Sequence, residues 1–385
     1  MNLRAAVKCL VIIATAITIG ACAHPERQPL SQLDTPEHHT YTGMRLLNQG
    51  KYDDAEREFN LSLQLDDGFS RAYTGSGLVK AYRGEYDAAA DLMKKAKKYA
   101  ATDREKSLSR VGLLRIALMS KRDGWLEDAE EAFAEAVTLD ADLAASYYFM
   151  GQVYKNTLQF GEAAGMFSRV LDLNDEYVRE ADREWKLIQK IQRALPGTMT
   201  GKKIALAESI TRADLAALLL EEFRIDEVYK KFGVSMYETG FKSPEETIPQ
   251  GRQQQPLASD IGDHVLAADM DEIIQIGVRG LEVFPDGSFR PDDLITRASF
   301  AMIVEDILIK IGQDQALATR FIGTPSPFSD VRNDLPYFNA IMVVTTRGIM
   351  EMRDLTSGEF GPLAPVAGAD ALLVIKKIKE ELKIF

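Results

Sequence analysis

Gly50-Lys51-Tyr52-Asp53-Asp54-Ala55-Glu56-Arg57-Glu58-Phe59 is the stretch on which the reading of the chain turns. It returns as Gly84-Glu85-Tyr86-Asp87-Ala88-Ala89, as Gly124-Trp125-Leu126-Glu127-Asp128-Ala129 running on to Phe133, and as Gln159-Phe160-Gly161-Glu162-Ala163 running on to Phe167. The first two glycines are 34 residues apart (84 − 50), and so are Ala129 and Ala163 (163 − 129). Ala89 to Ala129 spans 40, an insertion of about one and a half helical turns. Each copy reads as a first helix, a turn at the glycine and a second helix. Small residues stand where paired helices must approach closely: Gly43, Gly77, Ala117 and Gly151 on the first helices, and Ala55, Ala89, Ala129 and Ala163 on the second. Phe59, Met93, Phe133 and Phe167 are expected to fill the spaces between pairs, with Phe59, Leu63 and Leu65 marking a buried stripe.

A 34-residue period of helix–turn–helix units resembles a tetratricopeptide (TPR) array. Four repeats are expected over residues 37–175. The proline usual at the end of such a unit is absent, with Asp67, Ala141 and Asp175 in its place. The resemblance implies a concave face that binds a protein or peptide. By motif position that face carries Tyr82, Lys121, Arg122, Tyr148, Gln152, Lys155 and Asn156. Its three cations suit an acidic partner segment, the alternative being that these are solvated helix residues.

A second family of repeats occupies residues 176–385. Gly277-Val278 leads to Asp286-Gly287-Ser288-Phe289-Arg290-Pro291 and Thr296-Arg297-Ala298-Ser299-Phe300. Gly348-Ile349 leads to Gly358-Glu359-Phe360-Gly361-Pro362 and Ala367-Gly368-Ala369-Asp370. Glycine to phenylalanine is 12 residues in both (289 − 277 and 360 − 348). Phe328-Ser329-Asp330-Val331 precedes the second, and Ile210-Thr211-Arg212-Ala213-Asp214 is a leading copy. Thr211 and Thr296 can cap the helices that follow, and Asp214 completes a near capping box. Arg212 and Arg297 sit in a first helical turn, where the helix dipole does not favour a cation, so each needs another reason to be there.

These stretches resemble surface-layer homology (SLH) modules, in copies at about 182–232, 257–312 and 326–385. The resemblance implies a compact three-fold helical bundle that holds peptidoglycan or an acidic wall polysaccharide. It makes Thr211, Arg212, Asp214, Thr296 and Arg297 the candidate glycan-binding residues, guanidinium being matched to a carboxylate by its planar fork. The other reading is a structural helix start. The third copy has Val366-Ala367-Gly368-Ala369 instead of the motif, and the second has Ser299 where the family has Glu. Asp286-Gly287 reads as a tight turn, lacking the alternating carboxylates of a calcium loop.

Bulk properties narrow the rest. With 385 residues there is room for two or three domains, and a net charge of −12 excludes sequence-independent nucleic-acid binding. Arg4 and Lys8 precede an apolar run, Cys9–Gly20, too short to span a bilayer. That run ends in Ile19-Gly20-Ala21-Cys22, which resembles a bacterial lipobox: residues 1–21 as signal peptide and Cys22 as the lipidated residue. Cleavage takes the charge to −14 (44 basic against 58 acidic). Ala23 after the cysteine implies the outer membrane, facing the periplasm. Residues 22–36, with Pro25, Pro29 and Pro36, read as an extended tether. Ser243–Pro256 reads as a loop.

No chemistry stands out. His24, His38, His39 and His264 lack metal-ligand spacing, and no nucleophile elbow, P-loop or dinucleotide fingerprint occurs. No cofactor or metal is expected. The expectation is an all-α, non-catalytic outer-membrane lipoprotein: a helical solenoid, then a helical three-repeat bundle with short irregular or β-turn segments. It would be a scaffold binding a protein in the array and a wall glycan beyond it. The alternative is an assembly factor of a secretion, pilus or outer-membrane machine with no glycan binding. A wall-polymer hydrolase is the third class.

Overall fold

A computed structural model describes residues 27–234 and 257–384. The expected signal peptide, Cys22 and the loop expected at Ser243–Pro256 lie outside the described residues. Among the described residues the structure is helical, with no strand and only three isolated bridges. The chain forms two compact units. One is made of the described residues up to Thr157 with Gly165–Asp182, the other of Leu158–Ala164 with the residues from Arg183 onward.

The first unit is a stack of helix pairs. Its helices are α1 (Pro36–Asn48), α2 (Tyr52–Leu65), α3 (Ser70–Tyr82), α4 (Tyr86–Tyr99), α5 (Asp103–Ser120), α6 (Trp125–Leu139) and α7 (Ala144–Asn156), with the part of α8 (Phe160–Leu173) from Gly165 onward. Gly50, Gly84 and Gly124 turn the chain at φ of +74°, +79° and +78°, a conformation that costs a side chain and suits glycine. Leu158 stands at the fourth such position, at φ +61°, without that freedom. Five of the six inserted residues appear as length in α5, which has 18 residues where α1, α3 and α7 have 13 (18 − 13). Thr102 and Glu105 start α5 with a capping box.

The small residues are where large ones need them. A Cβ on Gly43 would lie 2.6 Å from the Phe59 ring, and one on Gly75, in the next first helix, 2.2 Å from it. Met93 is clasped likewise by Gly77 and Gly112, and the Phe167 ring meets Gly151. Phe59, Met93 and Phe167 are fully buried in consequence. Phe133 departs from the expected pattern, being only half-buried and edge-on to Tyr147. Position 117 is alanine where the other three copies have glycine. Gly165 sits inside α8, and a Cβ added to it would meet no atom within 4 Å. Gly165→Ala is expected to stabilise the chain by about 0.5–1 kcal/mol, seen as a raised denaturation midpoint; a lowered midpoint would contradict that openness.

Arg27–Thr35, expected to belong to an extended tether, is instead pinned to the first helix pair. The Arg27 amide donates to Gln64 O at 2.7 Å, and Asp34 accepts from Arg27 Nη2 and the Leu30 amide. His39 lies between two carboxylates, with Nδ1 2.7 Å from Glu58 Oε2 and Nε2 2.9 Å from Asp34 Oδ1. Burial opposes the imidazolium, but hydrogen bonds and charge from Glu58 and Asp34 outweigh it and raise the His39 pKa. Asp34 is lowered to about 2, first by the Leu30 amide and then by His39. A raised histidine stabilises fully below its unfolded pKa and loses that contribution as pH rises through the folded one. A lowered aspartate contributes above its unfolded pKa and loses it as pH falls toward about 2. The latch is therefore strongest from roughly pH 4 to 6.5. Exchange protection of residues 28–35 is expected to fall above that window, and His39→Gln to flatten the dependence. An unchanged pH profile in the variant would exclude the imidazolium as its source.

The second unit contains the later part of α9 (Val178–Ala194), then α10 (Met199–Ile204) and α11 (Arg212–Ala217), which runs into a π-helical turn. After these come α12 (Ile225–Lys231), α13 (Ala267–Ile276), α14 (Arg297–Gly312), α15 (Phe338–Thr346) and α16 (Gly368–Glu381). Ile188 and Ile191 of α9 are fully buried, and Trp185 is half-buried. Three extended segments close the unit into a ring. The Ile210 amide donates to Val366 O at 2.8 Å, the Ile295 amide to Ile210 O at 3.0 Å and the Val366 amide to Ile295 O at 3.0 Å. All three side chains are buried. The third copy keeps its place in this ring although its threonine and arginine are gone.

Candidate functional site

Two regions have the make-up of binding sites. In the first unit, a groove of about 730 Å³ crosses the first helices of the stack. Tyr41 and Met44 of α1, Arg71 and Leu78 of α3, Leu108 and Arg115 of α5, Phe149 of α7 and Tyr177 line it. Successive first helices pack on one another, so their inward faces form one continuous wall.

The seven residues chosen by motif position do not line this groove. Tyr82 stacks on Tyr52 at 5.2 Å, and its hydroxyl accepts from Arg115 Nη2 at 3.2 Å. Lys121 Nζ donates to Asn156 Oδ1 at 2.8 Å, and Arg122 pairs with Asp87 at 2.6 Å. Tyr148 stacks on Tyr177 at 4.6 Å, and Gln152 Nε2 donates to the Tyr148 hydroxyl. Lys155, in the last turn of α7, is likewise engaged. Tyr82, Lys121, Arg122, Lys155 and Asn156 lie at or just beyond the C-terminal ends of their helices, whereas Tyr148 and Gln152 lie inside α7, next in sequence to groove residues or on a different side of the helix from them. Sequence reading missed Arg115. Its signal was a lone cation within the apolar run Val111-Gly112-Leu113-Leu114-Arg115-Ile116.

In the second unit the repeated motifs converge on the junctions between copies. Thr211 Oγ1 accepts from the Asp214 amide at 3.2 Å and Asp214 Oδ2 accepts from the Thr211 amide at 2.9 Å, a full capping box. Thr296 caps α14 through the Ser299 amide. Arg212 is 8% exposed. Its Nε, Nη1 and Nη2 donate to the carbonyls of Phe289, Gly280 and Glu282, at 2.8, 2.6 and 2.9 Å, and its guanidinium lies over the Phe284 and Phe289 rings. Arg297 repeats this one copy on, donating to Phe360 O and Glu351 O over the Phe360 ring, but half-exposed. Burial lowers both guanidinium pKa values, and both stay cationic at neutral pH.

The expectation that Arg212 offers an open fork to a glycan carboxylate is corrected by this geometry. Its fork is turned inward and spent on backbone carbonyls of the next copy. That also answers why a cation stands in a first helical turn: it clasps the following D-G-x-F turn. An aspartate braces each turn from its own copy. Asp260 accepts from the Phe289 and Arg290 amides at 2.7 and 2.8 Å, and Asp330 from the Phe360 and Gly361 amides at 2.9 and 2.7 Å. Burial works against the Asp260 charge, yet the two amides outweigh it and hold its pKa down.

The third junction is closed differently. The first copy has no D-G-x-F turn, so an arginine from the third would have nothing to clasp. Gly368 stands at that position, and a Cβ there would lie 1.7 Å from Ile204 O. The lost arginine and the lost turn are two sides of one junction.

Among the described residues no group of three or more His, Cys, Asp or Glu side chains could hold a metal ion, and no helix is long and apolar enough to cross a membrane.

A family model of the S-layer homology domain matches residues 281–301, from the D-G-x-F turn through Arg297 into α14. Tetratricopeptide repeat protein 6 of Homo sapiens is 28% identical over 138 residues, 35% of this chain and 25% of that protein. The chain thus spans about a quarter of the length of the curated relative it matches. With the paired-helix stack, these likenesses support a TPR plus SLH architecture.

Proposed function

We propose that this chain is a non-catalytic scaffold of the cell envelope, an outer-membrane lipoprotein anchored through Cys22. Its TPR array takes a protein partner, and its SLH-like unit takes peptidoglycan or a wall-associated polysaccharide. The observation that carries the reading is the pairing, on one chain, of a 34-residue helical repeat with a closed ring of three SLH-like copies. Two acyl chains or more on one cysteine suffice for stable anchoring. In this reading Thr211, Asp214, Thr296 and Arg212 shape the walls of the glycan site. Arg297, half-exposed with only two of its donors bound, is the member of the set that meets a glycan carboxylate.

The full chain is expected to sediment with purified cell-wall sacculi and to be released by an acidic polysaccharide. Failure to sediment would remove the wall-binding half. The inward turn of Arg212 favours a second reading, in which the ring is only a platform and the protein is an assembly factor for an envelope machine. In-cell crosslinks to machine subunits, with no glycan retained, would decide for it.

A further inference from the structure

Arg115 carries a charge that the fold does not balance. It is 5% exposed, and no carboxylate among the described residues pairs with it. Its guanidinium has the Tyr82 hydroxyl at 3.2 Å and the face of Phe149 at 4.4 Å. A buried cation held only by a neutral hydroxyl and a ring is costly, and selection of a stable fold alone would replace it with an apolar residue. The groove it lines has a charge order. The central helices α3 and α5 contribute Arg71, Arg104 and Arg115 and no acid. Arg71 is exposed and, among the described residues, unpaired, whereas Arg104 is already bound to Asp140 and Asp175. The acids of the groove, Glu37 from α1 and Glu176 and Glu180 from beyond α8, stand on its outer walls.

We infer that the groove binds an extended peptide segment through an internal Asp or Glu side chain, whose carboxylate pairs with Arg115. This rests on the reading of the array as a protein-binding module and names the chemistry of its partner. Arg115 lies on α5, with α1 and α3 to one side and α7 to the other, so a segment must pass it in both directions. Glu176 and Glu180 disfavour a negative residue at that end of the peptide, while on α1 Arg45 lines the groove with Glu37 and leaves that end neutral overall. The recognised pattern is one acid at the centre, flanked by neutral or basic residues, with apolar side chains against Tyr41 and Phe149. Pairing there adds a charge-assisted hydrogen bond to a guanidinium that has no carboxylate partner in the fold, worth about 10- to 100-fold in affinity.

The test uses the full chain and pools of ten-residue peptides with blocked termini and a fixed central Glu, Gln, Lys or Leu. The Glu pool is expected to bind at least about tenfold more tightly than the Gln pool, with the Lys pool weakest. Arg115→Met is expected to erase that preference while the melting temperature stays level or rises, since an unbalanced buried charge has gone. Arg71→Gln, on the exposed rim, is expected to weaken the Glu pool by a few-fold only. Equal binding of the Glu and Gln pools would overturn the inference and leave the array a peptide binder of other chemistry. Binding by unblocked versions of the pools but not by the blocked ones would overturn it too, as would binding by neither, which also removes the reading beneath it.

Discussion

Arg212→Met is expected to destabilise the C-terminal unit by about 3 kcal/mol or more. Methionine keeps most of the apolar stem but strands the carbonyls of Gly280, Glu282 and Phe289, which Arg212 now serves from a buried position. Each acceptor left without a partner costs about 1–3 kcal/mol, and the stacking over Phe284 and Phe289 is lost as well. Arg297→Met is expected to cost about half as much or less, because it strands two carbonyls at a half-exposed site. The chain has two tryptophans, Trp125 in the first unit and Trp185 in the second. Denaturant unfolding of a Trp125→Phe background therefore reports the second unit alone. If Arg212→Met leaves the midpoint in place while abolishing retention on sacculi, the residue is a ligand group and the clasp assignment fails.

Gly368→Ala is expected to be comparably harmful, for a steric reason. One added carbon would sit 1.7 Å from Ile204 O and 3.2 Å from the Ala205 Cα, both main-chain atoms that cannot rotate aside. The third copy must then move off the first, disturbing the Gly368 amide bond to Ala207 O and the Ile210–Val366 contact beside it. Overpacking a tight junction costs about 1–3 kcal/mol, and where backbone blocks backbone about 3 kcal/mol or more, which for a unit of this size lowers the melting temperature by roughly 6–12 °C or more. Gly165→Ala serves as the control, since glycine itself is not what matters there. Equal behaviour of the two variants would mean that the junction has slack.

Much of the architecture is legible in the residues alone. The 34-residue spacing locates the helix pairs, and the glycines at 50, 84 and 124 locate their turns, because these features repeat and act locally. Thr211 and Asp214 announce their capping box for the same reason, with both partners inside one helical turn. Binding surfaces are harder. Arg212 reaches acceptors 68 to 77 residues away, and no local spacing encodes which copy it faces or whether its fork points in or out. Gly75 and Gly112 escape notice because each serves a large residue of the preceding repeat. The residues picked by motif position fall outside the groove for a related reason. Motif position ranks residues along one helix, whereas the groove depends on how neighbouring helices stack. The missing arginine of the third copy looks like decay until the absent turn of the first copy is set against it.

The closed ring also bears on how the chain acquires its shape. Every pair in the array meets partners from the adjacent repeat, so the array can be assembled progressively from short loops. The ring cannot: Ile210 waits for Val366, 156 residues later (366 − 210), before its amide finds an acceptor. Such distant closure is slow and comes late in folding. A polypeptide that stopped short of residue 366 would therefore carry a finished array ahead of an unsealed remainder.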